Sequence, residues 1–337
     1  MATLRDIGEF GFIDRIRELV GEPGPGVVRG IGDDCAVMEL SQPDKLLVTV
    51  DGALEGRHFR LDWVSPYDAA RRSTAGAISD IAAMGGRPFA TFCTAAIPAH
   101  TCTEHATDLM RGVADTARKY GAPLVGGDIV GAFDRIMIDL VVLGWAEQPW
   151  LRSGAVPGDI LAVTGCLGES AAAVNLLCSN PALLNEPEFA RLRKRFTDPT
   201  PRVAEARALA GDPAVHAAID ISDGLVQDAG HIARESGARI EILAGSIPVD
   251  PSCEAAGACL PHRPPWSPAT SGEEYELLLA VAPGEIERLN ELLAKSGLGA
   301  LTAVGRVLEG QGVALLGLDG EELALETKGW DHFRAEQ

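Results

Sequence analysis

Five short stretches of this sequence place aspartate beside glycine or at the end of an apolar run. They are Gly32-Asp33-Asp34, Asp51 after Leu46-Leu47-Val48-Thr49-Val50, Asp80 in Ser79-Asp80-Ile81-Ala82-Ala83-Met84-Gly85, Asp128 in Gly126-Gly127-Asp128, and Asp220-Ile221-Ser222-Asp223-Gly224. Carboxylates gathered at one point repel unless a cation sits among them, and all-oxygen donors suit Mg²⁺ rather than zinc or copper. Several such ions imply a polyphosphate partner. Gly32-Asp33-Asp34 and Gly126-Gly127-Asp128 read equally well as tight turns. Asp220 and Asp223 carry more information: three positions apart at a strand-to-helix junction, a strand-end ligand and a helix N-cap converge, with the Ser222 hydroxyl near the helix's open N–H groups. Capping accounts for one of the two, not both.

These residues need elements to position them. Asp51 ends a run of apolar and β-branched residues, which predicts a strand tip, the place where α/β folds put chemistry. Ser65-Pro66 reads as an N-cap with proline at the first helical position, and Gly85-Gly86 closes that helix, leaving Asp80 near its last turn. A negative charge is disfavoured there, and the residues one turn away (Gly76, Ala77, Ala83, Met84) offer no counter-charge. A strand near 89–97 follows, then a helix opened by a capping box at Thr101 and Glu104 and closed at Gly121, a short strand to Asp128, and the apolar run 136–145. Composition shifts at Glu147-Gln148-Pro149, which divides the chain into residues 1–148 and 149–337. The second part reads as a strand at 160–164, a glycine loop from Gly165 to Gly168, helices to Arg195 and after Thr200-Pro201, and a strand at 215–219. A helix after Gly224, a strand at 239–243, a proline-rich loop at 248–268, and a strand, helix and two strands to residue 316 complete it. Gly165-Cys166-Leu167-Gly168 lacks the ending of a P-loop and is a weak phosphate signal. His58, in Glu55-Gly56-Arg57-His58-Phe59, is placed to meet a phosphate, although a lone loop histidine is more often incidental.

A chain of 337 residues with 46% hydrophobic side chains buries a sizeable core, in about two domains. A net charge of −19 argues against sequence-independent binding to nucleic acid or anionic membrane. Seven cysteines with no C-x-x-C pair suggest reduced thiols, and no apolar stretch reaches membrane-spanning length. A cytoplasmic enzyme is expected. Composition and spacing therefore reach as far as a two-domain α/β protein whose aspartates organise Mg²⁺ and a nucleotide for in-line phosphoryl transfer, with the acceptor open.

Taken in order, Gly8-Glu9-Phe10, Gly30-Ile31-Gly32-Asp33-Asp34, Asp51 through Glu55-Gly56-Arg57-His58-Phe59, Ser79 to Gly85, Gly126-Gly127-Asp128, Asp220 to Leu225, Gly272-Glu273-Glu274-Tyr275-Glu276-Leu277 and Gly329-Trp330-Asp331-His332-Phe333 resemble the thiamine-monophosphate kinase family. That family is a branch of the aminoimidazole-ribonucleotide synthetase-like proteins. The resemblance implies an α/β (α+β) two-domain fold, with an N-terminal mixed-sheet domain that pairs in a homodimer and a C-terminal α/β domain. It implies ATP as co-substrate, Mg²⁺ as cofactor and thiamine monophosphate as acceptor. Carried over by position, Asp34, Thr49, Asp51, Asp80, Asp128, Asp220 and Asp223 are the metal ligands, with Asp51, Asp80 and Asp128 catalytic. Gly127, Asp128, Arg152 and Ser222 contact the nucleotide, while His58, Glu273 and Trp330 hold the acceptor. The chain departs from the family pattern at Val50, Gly52, Ile129 and Val130, where threonines are usual, and at Glu274, where aspartate is. The alternatives are a related ATP-dependent enzyme with another acceptor and a nucleotide-binding regulator without catalysis.

Overall fold

Along residues 45–54 every second residue is Lys45, Leu47, Thr49, Asp51 or Ala53, and the intervening ones are Leu46, Val48, Val50, Gly52 and Leu54. Such alternation makes a two-faced strand, and the computed structural model extends β3 over Lys45–Leu54. The structure describes residues 6, 12, 15–21, 27–29, 37–38, 45–260, 268–325 and 329. Asp33, Asp34, the Gly8-Glu9-Phe10 motif and Trp330 to Phe333 lie outside the described residues.

The chain divides into two compact units, Met1–Ile81 with Gly86–Glu147, and Ala82–Gly85 with Gln148–Gln337. In the first, β1 (Val27–Arg29) and β2 (Val37–Met38) form a short antiparallel ribbon. The main sheet has the order β3-β6-β4-β5, with β4 Arg87–Pro98, β5 Leu124–Ala132 and β6 Met137–Ala146; only β4 and β5 run parallel. Helix α1 (Pro66–Ala83) starts as predicted: the Asp68 N–H donates to Ser65 Oγ at 3.1 Å, and the Ser65 hydroxyl returns a bond to Asp68 Oδ2 at 2.9 Å. Helix α2 (Thr103–Lys119) opens on Cys102 with no side-chain cap, so the Thr101/Glu104 capping box does not form. The Thr101 N–H is used instead in a turn to the Pro98 carbonyl (2.9 Å) as the chain leaves β4. Both helices pack on the face carrying Ile138, Leu140, Val142, Cys93 and Ala95, all buried. The opposite face leaves Leu46, Val48, Val50, Leu54, Val130 and Met137 exposed.

In the second unit a mixed sheet has the order β12-β9-β11-β7-β10-β8. Its strands are β7 Ile160–Val163, β8 Val215–Asp220, β9 Arg239–Leu243, β10 Leu277–Val281, β11 Thr302–Leu308 and β12 Gly312–Leu316. Only the β12 and β9 pairing is parallel. Helix α6 (Leu225–Ser236) lays Leu225, Val226, Ala229, Ile232 and Ala233 into a core with Leu161, Ile219, Ile240 and Val304. Helices α3 (Glu169–Ser179), α4 (Ala190–Thr197) and α5 (Val203–Leu209) follow β7. The segment expected to be a proline-rich loop contains α7 (Pro251–Ala258), capped where Asp250 Oδ1 accepts the Ser252 N–H at 2.9 Å. The Asp-Pro pair that starts it is an ordinary helix-start signal. Helix α8 spans Ile286–Lys295.

Candidate functional site

Asp51 sits inside β3, not at its tip, because residues 51–54 continue the pairing with β6, Asp51 opposite Leu140. It shares a strand face with Thr49, whose hydroxyl donates to Asp80 Oδ2 near the end of α1. Asp80 thus has a hydrogen-bond partner on the facing strand. Thr49, Asp51 and Asp80 form the first cluster.

Asp128 lies elsewhere in the same unit. It is inside β5, opposite Thr94, which in turn faces Asp139 on β6. This row is one residue out of step with the row Asp51, Leu140, Cys93 and Gly127, and β3 and β5 are the two edge strands. Three strand spacings, roughly 14 Å along the sheet, separate them. Asp139, absent from the sequence-based candidates, therefore neighbours Asp128 more closely than Asp51 does. Gly127 has φ 155°, and a Cβ there would run into the Cys93 carbonyl group of the adjacent strand. Close approach of one strand to another is by itself enough to require this glycine.

After β3 the chain turns through Glu55 to Phe59, Gly56 at φ 82° in the left-handed region. The Leu54 N–H donates to His58 Nδ1 at 3.0 Å, which places the neutral ring's proton on Nε2 and makes that nitrogen a donor. Glu55 Oε2 accepts the Ile136 N–H at 2.9 Å, and Arg60 and Arg135 line a surface cavity beside the turn.

The second unit gathers the other candidates. Asp220 ends β8, only 4% exposed. The expected N-cap role of Asp223 is not realised: Gly224 is the cap residue, and Asp228 of the first turn of α6 reaches back, Oδ2 accepting the N–H groups of Asp223 (3.1 Å) and Gly224 (3.0 Å). Burial, and then the charges of Asp220 and Asp223, push the Asp228 carboxyl up to about 8. Asp223, Asp228 and His231 bring ligand atoms within 4.8 Å of one another. Burial, with Arg152 and Arg234 adding to it, lowers the proton affinity of His231 and keeps its ring neutral. Asp228 and His231 are one helical turn apart, a spacing that signals a shared face. Gly329 approaches this turn so closely that a Cβ would stand 2.6 Å from the Asp223 carbonyl oxygen. The Glu273 N–H donates to the Ser222 carbonyl at 2.7 Å, which joins the predicted acceptor residue to the Asp220–Asp223 turn.

The glycine loop from Gly165 to Gly168 is filled from within. Glu274, fully buried, lies against the start of α3, its Oε1 accepting the N–H groups of Gly168 (2.9 Å) and Ser170 (3.1 Å) and the Ser271 hydroxyl (2.7 Å). The anion position at this helix start is therefore occupied by a carboxyl group of the protein itself. Around it Arg195, 8% exposed, binds Glu169 Oε2 (2.9 Å) and Glu276 Oε1 (2.6 Å), and Arg202 also reaches Glu276. Burial pushes the Glu274 carboxyl up to about 7, against the opposing pull of Arg195 and Ser271. Its unfolded value is lower, so between the two the folded chain holds a proton that the unfolded chain does not, and stability falls as pH rises from about 4.5 through about 7. Glu274→Gln, which cannot ionise, should therefore gain a few °C in Tm relative to the wild type on going from pH 5 to pH 8. Thermal unfolding of both proteins across that range checks it.

Comparison with known proteins places this geometry in a family. Models of the AIR synthase related protein match its N-terminal domain to residues 32–146 and its C-terminal domain to residues 156–317. A thiamine-monophosphate kinase of Mycobacterium tuberculosis strain H37Rv is 35% identical over 333 residues, covering 98% of this chain and 93% of its own. The crystal structure of thiamine-monophosphate kinase from Stenotrophomonas maltophilia K279a superposes with a TM-score of 0.78 at 30% identity, covering 94% of this chain and 98% of its own. AaThiL complexed with AMPPCP and TMP gives 0.76 at 31% identity, covering 99% of both chains. The chain belongs to the thiamine-monophosphate kinase family, within the AIR synthase related proteins.

Proposed function

We propose that this chain transfers the γ-phosphoryl group of ATP directly to the phosphate of thiamine monophosphate, releasing thiamine diphosphate and ADP. The observation that carries the reading is its near-full-length likeness to thiamine-monophosphate kinases, including AaThiL complexed with AMPPCP, a methylene-bridged ATP analogue, and TMP. An acceptor phosphate oxygen attacks the γ-phosphorus as the bond to the ADP oxygen breaks, so the residues' task is positioning and charge neutralisation. Thiamine carries a fixed positive charge, for which the Glu273 carboxylate is a counter-charge, and His58 Nε2–H is a donor for its phosphate. We assign Gly127, Asp128, Arg152 and Ser222 to the nucleotide and Trp330 to the acceptor.

The donor chemistry fits Mg²⁺. Thr49, Asp51 and Asp80 offer oxygen atoms on facing elements, and the crowding of Asp220, Asp223 and Asp228 raises the cost of leaving their charges uncompensated. Asp34 and Asp128 are further oxygen donors assigned to metal, and Mg²⁺ when bound would supply charge neutralisation for the phosphoryl oxygens. Residues 1–148 and 149–337 are the two domains of this account. The exposed apolar face of the first unit's sheet (Val50 63%, Val48 57%, Leu46 45% exposed) supports homodimer pairing through that face. Sedimentation equilibrium giving a monomer's mass would remove the pairing. Among the described residues no helix is long and apolar enough to cross a membrane. The free cysteines, Cys93 and Cys253 among them, support a reducing, cytoplasmic location.

The test is ADP release across an acceptor panel of thiamine monophosphate, thiamine and other phosphate monoesters, with ATP and Mg²⁺. ADP formation that depends on thiamine monophosphate is expected; equal release with another acceptor, or with none, would sink the substrate assignment.

A further inference from the structure

Among the described residues, two that are not glycine have positive φ, and both lie in one loop: Glu273 (58°) and Tyr275 (51°). L-residues avoid this conformation, so the surrounding structure must impose it. Between them stands Glu274, with no exposed surface, fixed to the start of α3 through Gly168, Ser170 and Ser271. Its carbonyl oxygen also accepts a bond from Arg195 Nη1 at 3.1 Å. On the opposite side the loop is fixed to the Asp220–Asp223 turn. There the N–H groups of Glu274 (3.2 Å) and Tyr275 (2.9 Å) both reach the Ile221 carbonyl, and that of Glu273 reaches Ser222. The loop is thus clamped from two sides, and one of the clamps is a single side chain.

We propose that Glu274 is a positioning residue for the transfer reaction: by accepting hydrogen bonds at the start of α3 it locks Glu273 in its left-handed conformation and so fixes the carboxylate that faces the acceptor. The inference rests on the functional reading above, in which Glu273 holds thiamine monophosphate. It adds a role to a residue that touches no substrate. The lock works through acceptor geometry rather than charge: the three groups bonded to Oε1 are all donors, and a side-chain amide can present the same oxygen to them. Glutamine should therefore keep the lock, and leucine, of similar size with no acceptor, should lose it.

The test compares full-length wild type, Glu274→Gln and Glu274→Leu by amide hydrogen exchange and by steady-state kinetics. Exchange in peptides covering 271–276 should quicken about tenfold or more in the leucine variant while peptides from β7 and β10 stay within about twofold, and the glutamine variant should stay near wild type. KM for thiamine monophosphate should rise about tenfold in the leucine variant with KM for ATP within about twofold. In a Glu273→Ala background the leucine substitution should add less than about twofold, because its effect passes through Glu273. Unchanged exchange and kinetics in the leucine variant, equal rises in both KM values, or full additivity with Glu273→Ala would overturn the proposal. Should the leucine variant fail to fold, Ser271→Ala, which removes one of the three donors, should shift exchange and acceptor KM the same way by a smaller factor; no shift overturns it. A wild type that makes no thiamine diphosphate would refute the functional reading, and the exchange measurement would then judge the lock alone.

Discussion

Asp51→Asn should lower turnover by about 1,000-fold or more while Tm stays within a few °C of the wild type. Asp51 shares its strand face with Thr49, which is bonded to Asp80. Asparagine keeps the shape and one oxygen, so the β3 and β6 pairing opposite Leu140 is undisturbed. The negative charge is what disappears. Where a site assembles charge to hold a cation against phosphoryl oxygens, loss of one charged ligand costs about 4 kcal/mol or more of transition-state stabilisation, which corresponds to the stated factor. Asp139→Asn is the companion, because Asp139 belongs to the other strand row, opposite Gly52 and Thr94. It should cost far less. Initial rates of thiamine diphosphate formation with matched melting curves check both, and near-normal activity in Asp51→Asn would remove Asp51 from the ligand set.

Gly127→Ala should destabilise the chain by about 4 kcal/mol or more, with activity lost alongside. Two costs combine. At φ 155° an added Cβ meets the Cys93 backbone, its carbonyl carbon 2.8 Å and its nitrogen 3.0 Å away. That neighbour is main chain of a central strand buried under α2 and cannot move aside as a flexible side chain would. The backbone of β5 must therefore shift, and with it Asp128 opposite Thr94. Urea unfolding measures the loss. Gly131→Ala, two turns of alternation further along β5 with nothing within 4 Å of its Cβ position, is the control and should change stability little.

The elements with local signals were legible in the sequence. Ser65-Pro66 marked the start of α1, Gly121 its left-handed place after α2 (φ 79°), and the spacing to Gly85 put Asp80 near the end of α1. What escaped was set by partners far along the chain. Asp51 read as a strand tip because its pairing partner Leu140 is distant in sequence. Gly126-Gly127-Asp128 read equally well as a tight turn, and only the register with Cys93 reveals that Gly127 lies inside a strand whose close packing needs it. The glycine loop at 165–168 read as a weak phosphate cradle, and its true occupant, Glu274, lies 106 residues from Gly168. Asp228 and His231 carried a local signal, their spacing of three on a helix, but the open face of α6 toward Asp223 emerges only when the turn folds back. The activity itself was readable from motif order, since no single aspartate motif names an acceptor.

The most direct measurement follows the transferred group. With ATP labelled at the γ-phosphate, Mg²⁺ and thiamine monophosphate, the label should appear in the terminal phosphate of thiamine diphosphate, mole for mole with ADP, and never on the protein. Label released as inorganic phosphate, or retained on the chain, would contradict direct transfer to this acceptor.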